Sequence, residues 1–153
     1  MIRALFKFAK LPSDALVIDT TSNSGNFREL SPFVLSAPPA KRFENLWQFS
    51  KVYKKHTMSI DDYPDASWFK WRDVGYANNR AVRYPMGKGA IPEYSLWEEE
   101  KLDYIHARKK IYAPEYAKNV EPTESYKRLK GLYDYTNGLI KELILLDYDA
   151  YDH

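Results

Sequence analysis

No stretch of this sequence stays apolar for long, and that limits what it can build. The run at residues 143–146 is only strand-sized, far short of the roughly 20 apolar residues needed to cross a bilayer. A core must therefore be assembled from several short elements, and no membrane is expected among the partners. The opening Met-Ile-Arg-Ala-Leu-Phe-Lys-Phe-Ala-Lys alternates apolar and basic residues without a long apolar segment or a small-residue cleavage site, so it is not read as a secretion signal. The 153 residues fall within the usual size of one domain, which sets the expectation of a single compact domain over 1–153.

Where aliphatic runs are short, aromatic residues must supply the buried area. They make up 16% of the chain, with thirteen tyrosines and four tryptophans. Rings with a polar tip can fill a core or stack on a planar ligand, and the first use is the commoner. The charges nearly cancel, 23 basic against 21 acidic residues. A general nucleic-acid binder more often carries a dominant basic face, so nucleic acid stays open as a partner without being the first choice. Cysteine is absent, which excludes disulfides and a thiolate zinc site and suits a reducing, cytoplasmic setting.

Periodicity and end signals predict a mainly helical chain with a small β component, an α+β domain in one helical layer with a few short strands. Residues 15–20 read as a strand and 21–26 as a loop. A second short strand is expected at 33–35, before Pro38 and Pro39. Phe43, Leu46, Trp47, Phe49 and Tyr53 recur at helical spacing, predicting an amphipathic helix over 42–53. Asp65 is a plausible N-cap for a helix through Trp68, Phe69 and Trp71 to Gly75. Residues 78–94 read as a long loop, a feature that is often functional. Ser95-Leu96-Trp97-Glu98 matches a capping box and predicts a helix reaching about Ile111. Pro114 suits the first turn of a further helix, and Thr123 can cap another that ends near Asn137 and Gly138. Residues 142–147 are β-compatible.

Most catalytic patterns fail. His56, His106 and His153 are scattered, and there is neither a His-Glu-x-x-His pair nor a nucleophile elbow. Gly87-Lys88-Gly89 is not a phosphate loop, because Val82 stands where glycine is required and Gly89 where Ser or Thr is. Arg80, Arg83 and Lys88 could still face phosphate oxygens, and Trp68, Trp71 and Trp97 could stack on a base. No metal or cofactor is implied.

Glu44, Gln48 and Lys51, spaced by four and then three, share one narrow face of the predicted helix, roughly opposite the aromatic stripe. By spacing alone such a face is most often solvated. Yet Glu44-x-x-x-Gln48-x-x-Lys51 follows Ser31-Pro32-Phe33, and Trp47 stands just before the glutamine. This resembles the NADAR family, whose N-glycosidases act in ADP-ribose and riboflavin-intermediate chemistry and carry Glu-x-x-x-Gln-x-x-Lys after Ser-Asn-Phe. Near residue 146 the apolar run leads to Asp147 and, five residues on, Asp152, similar to the family's Glu and Asp. The likeness covers residues 31–53 and 102–152. Pro32 stands for the family's Asn and Asp147 for its Glu, and the family's later Trp-Gly and Gly-Asn-x-x-Gly segments have no counterpart, so the chain reads as a divergent and C-terminally shortened member.

The resemblance implies cleavage of an N-ribosyl or ADP-ribosyl bond in a nucleobase-linked or small-molecule substrate. Lys51 would be the reactive amine, Glu44 the acid/base, and Asp147 or Asp152 a second carboxylate. Ser31, Phe33, Trp47, Gln48, Trp71, Arg83 and Lys88 would line the substrate. The competing expectation is a module that binds a nucleotide or protein on the same fold without turnover. The oligomeric state is not legible.

Overall fold

In the computed structural model the described residues are 2–11, 14–21, 25–139 and 142–147, with backbone alone at 136–139. In chain order the elements are β1 (Ile2–Phe6), β2 (Leu16–Asp19), α1 (Phe43–Gln48), β3 (Lys51–Val52), α2 (Ala66–Ala77), β4 (Tyr94–Trp97), β5 (Glu100–Leu102), α3 (Tyr104–Ala107), α4 (Ala113–Val120), α5 (Glu124–Leu139) and β6 (Leu143–Asp147). A π-helical turn, Arg108–Tyr112, joins α3 to α4. The chain mixes helix and strand, as its patterning predicts. It gathers into two compact units, residues 1–35 with 120–153, and residues 36–119.

The first unit holds a parallel sheet in the order β1-β6-β2. Leu143 and Ile144 are fully buried, as a central parallel strand requires. At the carboxyl edge of the sheet the Lys7 amide donates to the Asp147 carbonyl at 2.8 Å and the Thr20 amide to the Leu146 carbonyl at 3.0 Å. β1 lies within the opening segment that alternates apolar and basic residues. Its first three residues are exposed, and Arg3 points outward to Glu142 at 2.5 Å. α5 starts where Thr123 predicts, since its hydroxyl accepts from the Tyr126 amide at 3.1 Å.

The second unit is built on an antiparallel sheet, β3-β4-β5. Val52, Trp68 and Leu96 form one buried cluster, and Trp47, Leu102, Ala107 and Ile111 form another. α2 is capped as predicted, the Asp65 carboxylate accepting from the Ser67 and Trp68 amides at 2.9 and 3.2 Å. Residues 78–93 run without a regular element before β4.

Three expectations need correction. Residues 33–35 form no strand, with Phe33 and Val34 in a turn, because the Ser31 carbonyl takes the Val34 and Leu35 amides at 3.0 and 2.9 Å and the Ser31 hydroxyl takes the Phe33 amide. The helix expected over 42–53 is only α1. Phe49 ends it with φ −89° and ψ 3°, and Lys51 and Val52 pair with Ser95 and Tyr94 instead. The capping box at Ser95 opens no helix. Ser95 pairs with Leu102 and Trp97 with Glu100, closing a two-residue hairpin in which Glu98 and Glu99 take φ of 49° and 67°. Those angles are what a type I′ turn demands. Local capping chemistry loses here to a strand whose Leu96 joins the core, and the next helix waits for Asp103, whose carboxylate accepts from the His106 amide at 2.8 Å.

Two side-chain constraints in this unit can be tested. A Cβ built on Gly75 would lie 2.2 Å from the Phe49 ring, and Phe49 is itself buried. Gly75→Ala should therefore destabilise the protein by about 1–3 kcal/mol through overpacking, read as a lower urea midpoint. His56 is 8% exposed, packs on the Trp71 ring at 5.3 Å, and among the described residues its Nδ1 has no hydrogen-bond partner. Burial and then Lys55 push its pKa below the ordinary 6.5, against a smaller pull from Asp65. The unfolded chain then takes up the proton first, so stability present above pH 6.5 falls as pH drops through the lowered folded value. His56→Phe should flatten that limb of the stability profile, measured by urea unfolding at successive pH values.

Candidate functional site

α1 is buried on nearly every side, an unusual setting for a helix containing Glu44, Asn45 and Gln48. Phe43 and Leu46 are fully buried and Trp47 is 7% exposed. On the face expected to meet solvent, Glu44 is buried, at 6% exposure, and Gln48 and Lys51 are half-buried. A buried polar group is tolerated only when it is bonded, and Glu44 and Gln48 bond to each other while Asn45 bonds to main chain.

The Gln48 side-chain amide sits in the middle. Its Nε2 donates to Glu44 Oε1 at 2.9 Å, and its Oε1 accepts from Lys51 Nζ at 3.0 Å. Gln48 is suited to this because it alone of the three both donates and accepts. The order of the three residues thus becomes a continuous line from carboxylate to ammonium. It forms although the helix ends at Gln48, because the chain turns back within two residues. Ser50, fully buried, donates from its hydroxyl to the Trp47 carbonyl at 2.7 Å, and Trp68 Nε1 donates to the Lys51 carbonyl at 2.9 Å. Trp47 completes the group, its ring centroid 5.1 Å from Lys51 Nζ and packed edge-on against Tyr112 at 5.2 Å.

Asn45, Ser50 and Trp68 were not singled out by sequence reasoning as positioning residues. Asn45 is fully buried. Its Nδ2 donates to the carbonyls of Asn78 and Arg80 at 3.3 and 2.7 Å, and its Oδ1 accepts from the Val82 amide at 2.7 Å. This one side chain ties the start of the 78–93 loop to the helix beside Glu44. The available signal was its position one turn before Phe49, within the stripe of residues bound for the core.

Of the other predicted residues, Trp71, Arg83 and Lys88 belong to the same unit. Trp71 packs on Phe49 at 4.6 Å, Tyr53 at 6.0 Å and His56 at 5.3 Å. The Arg83 guanidinium lies 5.5 Å from the Tyr84 ring centroid. Lys88 is exposed between Gly87 and Gly89, whose φ values are 92° and 90°. Ser31, Phe33 and Asp147 belong to the first unit. Ser31 is fully buried and its hydroxyl accepts from the Phe33 amide at 3.2 Å, while Asp147 closes β6 opposite Phe6. Asp152 and His153 lie outside the described residues.

Among the described residues no group of three or more His, Asp or Glu side chains is placed to hold a metal ion, and no helix is long and apolar enough to cross a membrane. Comparison with family models, with curated proteins and with solved structures finds no match in any of the three.

Removing the Asn45 tether should loosen the loop and leave buried amides and carbonyls without partners. Asn45→Leu is expected to cost about 2–4 kcal/mol in unfolding free energy, since each unsatisfied buried group costs about 1–3 kcal/mol. The same variant should speed amide exchange at Val82 while leaving the Ser67 amide at the α2 cap protected.

Proposed function

We propose that the chain is an N-glycosidase-type hydrolase of the NADAR kind, cleaving an N-linked ribosyl or ADP-ribosyl bond of a nucleobase or nucleotide-derived substrate in the cytoplasm. The observation that supports this reading is the Lys51–Gln48–Glu44 line, in which a buried carboxylate and an amine are coupled through one amide. An amine and an acid held together are what cleavage of a C1′–N bond calls for. As that bond breaks, positive charge develops on the sugar, and a nearby carboxylate stabilises it.

In this reading the neutral Lys51 amine forms a bond to C1′ with its lone pair. The C1′–N bonding pair departs with the base, which takes a proton delivered through Glu44. Opening of the sugar ring gives a lysine Schiff base. Water then adds to its carbon, the C–N pair returns to Lys51, and ribose or ADP-ribose leaves with the oxygen of that water. Gln48 orients both reacting groups and can exchange one of its hydrogen bonds for a sugar hydroxyl.

A second reading draws on Trp47. The indole face attracts an ammonium more than a neutral amine, which suits a module that holds an anionic nucleotide with a permanently charged Lys51 and does not turn it over.

Incubation of wild type, Lys51→Ala and Gln48→Ala with ADP-ribosylated guanosine and common nucleotides, followed by chromatography of released base, separates the two. The glycosidase reading expects release by wild type and a loss of at least about a hundredfold in Lys51→Ala, the scale of one catalytic proton-transfer or nucleophilic group. Binding of ADP-ribose without release selects the module. Neither binding nor release sinks both.

A further inference from the structure

Beside the turn that joins β4 to β5, the second unit opens a cleft of about 540 Å³, within the range of small-molecule sites. It shares no lining residue with the Glu44–Gln48–Lys51 line. Four rings form its walls, those of Tyr63, Phe69, Tyr76 and Trp97. Its charged lining is one guanidinium, Arg72, against three carboxylates, Asp73, Glu98 and Glu99.

Arg72 is already answered. It donates to Asp73 Oδ1 from Nε at 3.2 Å and from Nη2 at 3.1 Å, and lies over the rings of Trp68, Phe69 and Tyr76 at 5.1, 5.3 and 5.7 Å. The rings on that side thus carry a cation of the protein's own, and so does Tyr63, whose ring centroid lies 6.0 Å from Lys101 Nζ, which leaves Trp97 as the wall ring for a ligand. Glu98 and Glu99 are exposed, and neither enters an ion pair or a side-chain hydrogen bond among the described residues. Two uncompensated carboxylates at the mouth of an aromatic-walled cleft give it a negative potential, focused by its low-dielectric walls. The turn itself points the same way. Positive φ at both positions favours Asn-Gly, yet the chain places there two glutamates that line the cleft.

We propose that this cleft binds a small organic cation, a substituted ammonium group on a short apolar body, held between the carboxylates of Glu98 and Glu99 and the ring of Trp97. An aromatic face attracts such a cation directly, and the carboxylates replace the water it loses.

The test is calorimetric titration of the full chain with choline, with 3,3-dimethylbutan-1-ol as its uncharged carbon isostere, and with acetate. Choline should bind at least about tenfold more tightly than the alcohol, the scale of a partly desolvated cation–π contact, and acetate should not bind. The double substitution Glu98→Asn with Glu99→Gly supplies the residues the turn prefers, so it should keep or raise the melting temperature while weakening choline by about tenfold or more. Equal binding of choline and the alcohol, binding of acetate in place of choline, no heat with choline, or undiminished choline affinity in the folded double variant would each overturn the proposal.

Discussion

The second unit depends on where one helix stops. α1 ends at Gln48, and by Lys51 the backbone has become a strand, fixed from opposite sides by the Trp68 indole on the Lys51 carbonyl and by pairing with β4. Val52, fully buried, makes the change of direction favourable, since a β-branched side chain is at home in a pleated sheet and stiff in a helix. Had the helix run on to Tyr53, Lys51 would have kept the spacing of a helical face but lost its tie to the sheet. The bend places the amine against Gln48 and over Trp47 at once, and it carries Phe49 onto α2 at the one point where glycine leaves room.

Burial of α1 also explains why its polar residues are bonded so completely. Glu44 and Asn45 would be costly inside a protein if either lacked a partner. Asn45 satisfies three backbone groups of the loop that follows α2, and Glu44 is held by Gln48. The two solve the same physical problem in different ways. Asn45 fastens main chain and so is structural, whereas Glu44 and Lys51 are linked through a side-chain amide that a ligand could displace.

Much of this was legible beforehand because the signals were local. Asp65 and Thr123 cap the helices their sequences announce, and the apolar residues 143–146 form the buried strand their composition suggests. The line of Glu44, Gln48 and Lys51 was legible as spacing, although its burial was not, since a pattern of four and three says nothing about what packs over it. The failures were tertiary overrides. Ser95 and Glu98 satisfy a capping rule, yet Leu96 and Leu102 gain more by entering the core as a hairpin, and the turn accepts two left-handed glutamates as the consequence. β1 was missed although the opening alternates apolar and basic residues, because that pattern was weighed only against a secretion signal and not as an edge strand. Asn45 was passed over because a polar residue in a helix is normally taken for a surface one.

The parallel sheet of the first unit has a consequence for how the polypeptide matures. Its middle strand, β6, comes from the far end of the sequence, and its Glu142 neighbour is 139 residues from Arg3. β1 and β2 emerge early during synthesis with no strand between them, while residues 36–119 form a continuous segment that can close as soon as it is made. Loop-closure entropy makes such long-range parallel pairing slow, and unpaired strands expose hydrogen-bonding edges in the meantime. On the ribosome, then, the two units should be acquired in the reverse of their order of first appearance, residues 36–119 before the unit that holds β1, β2 and β6.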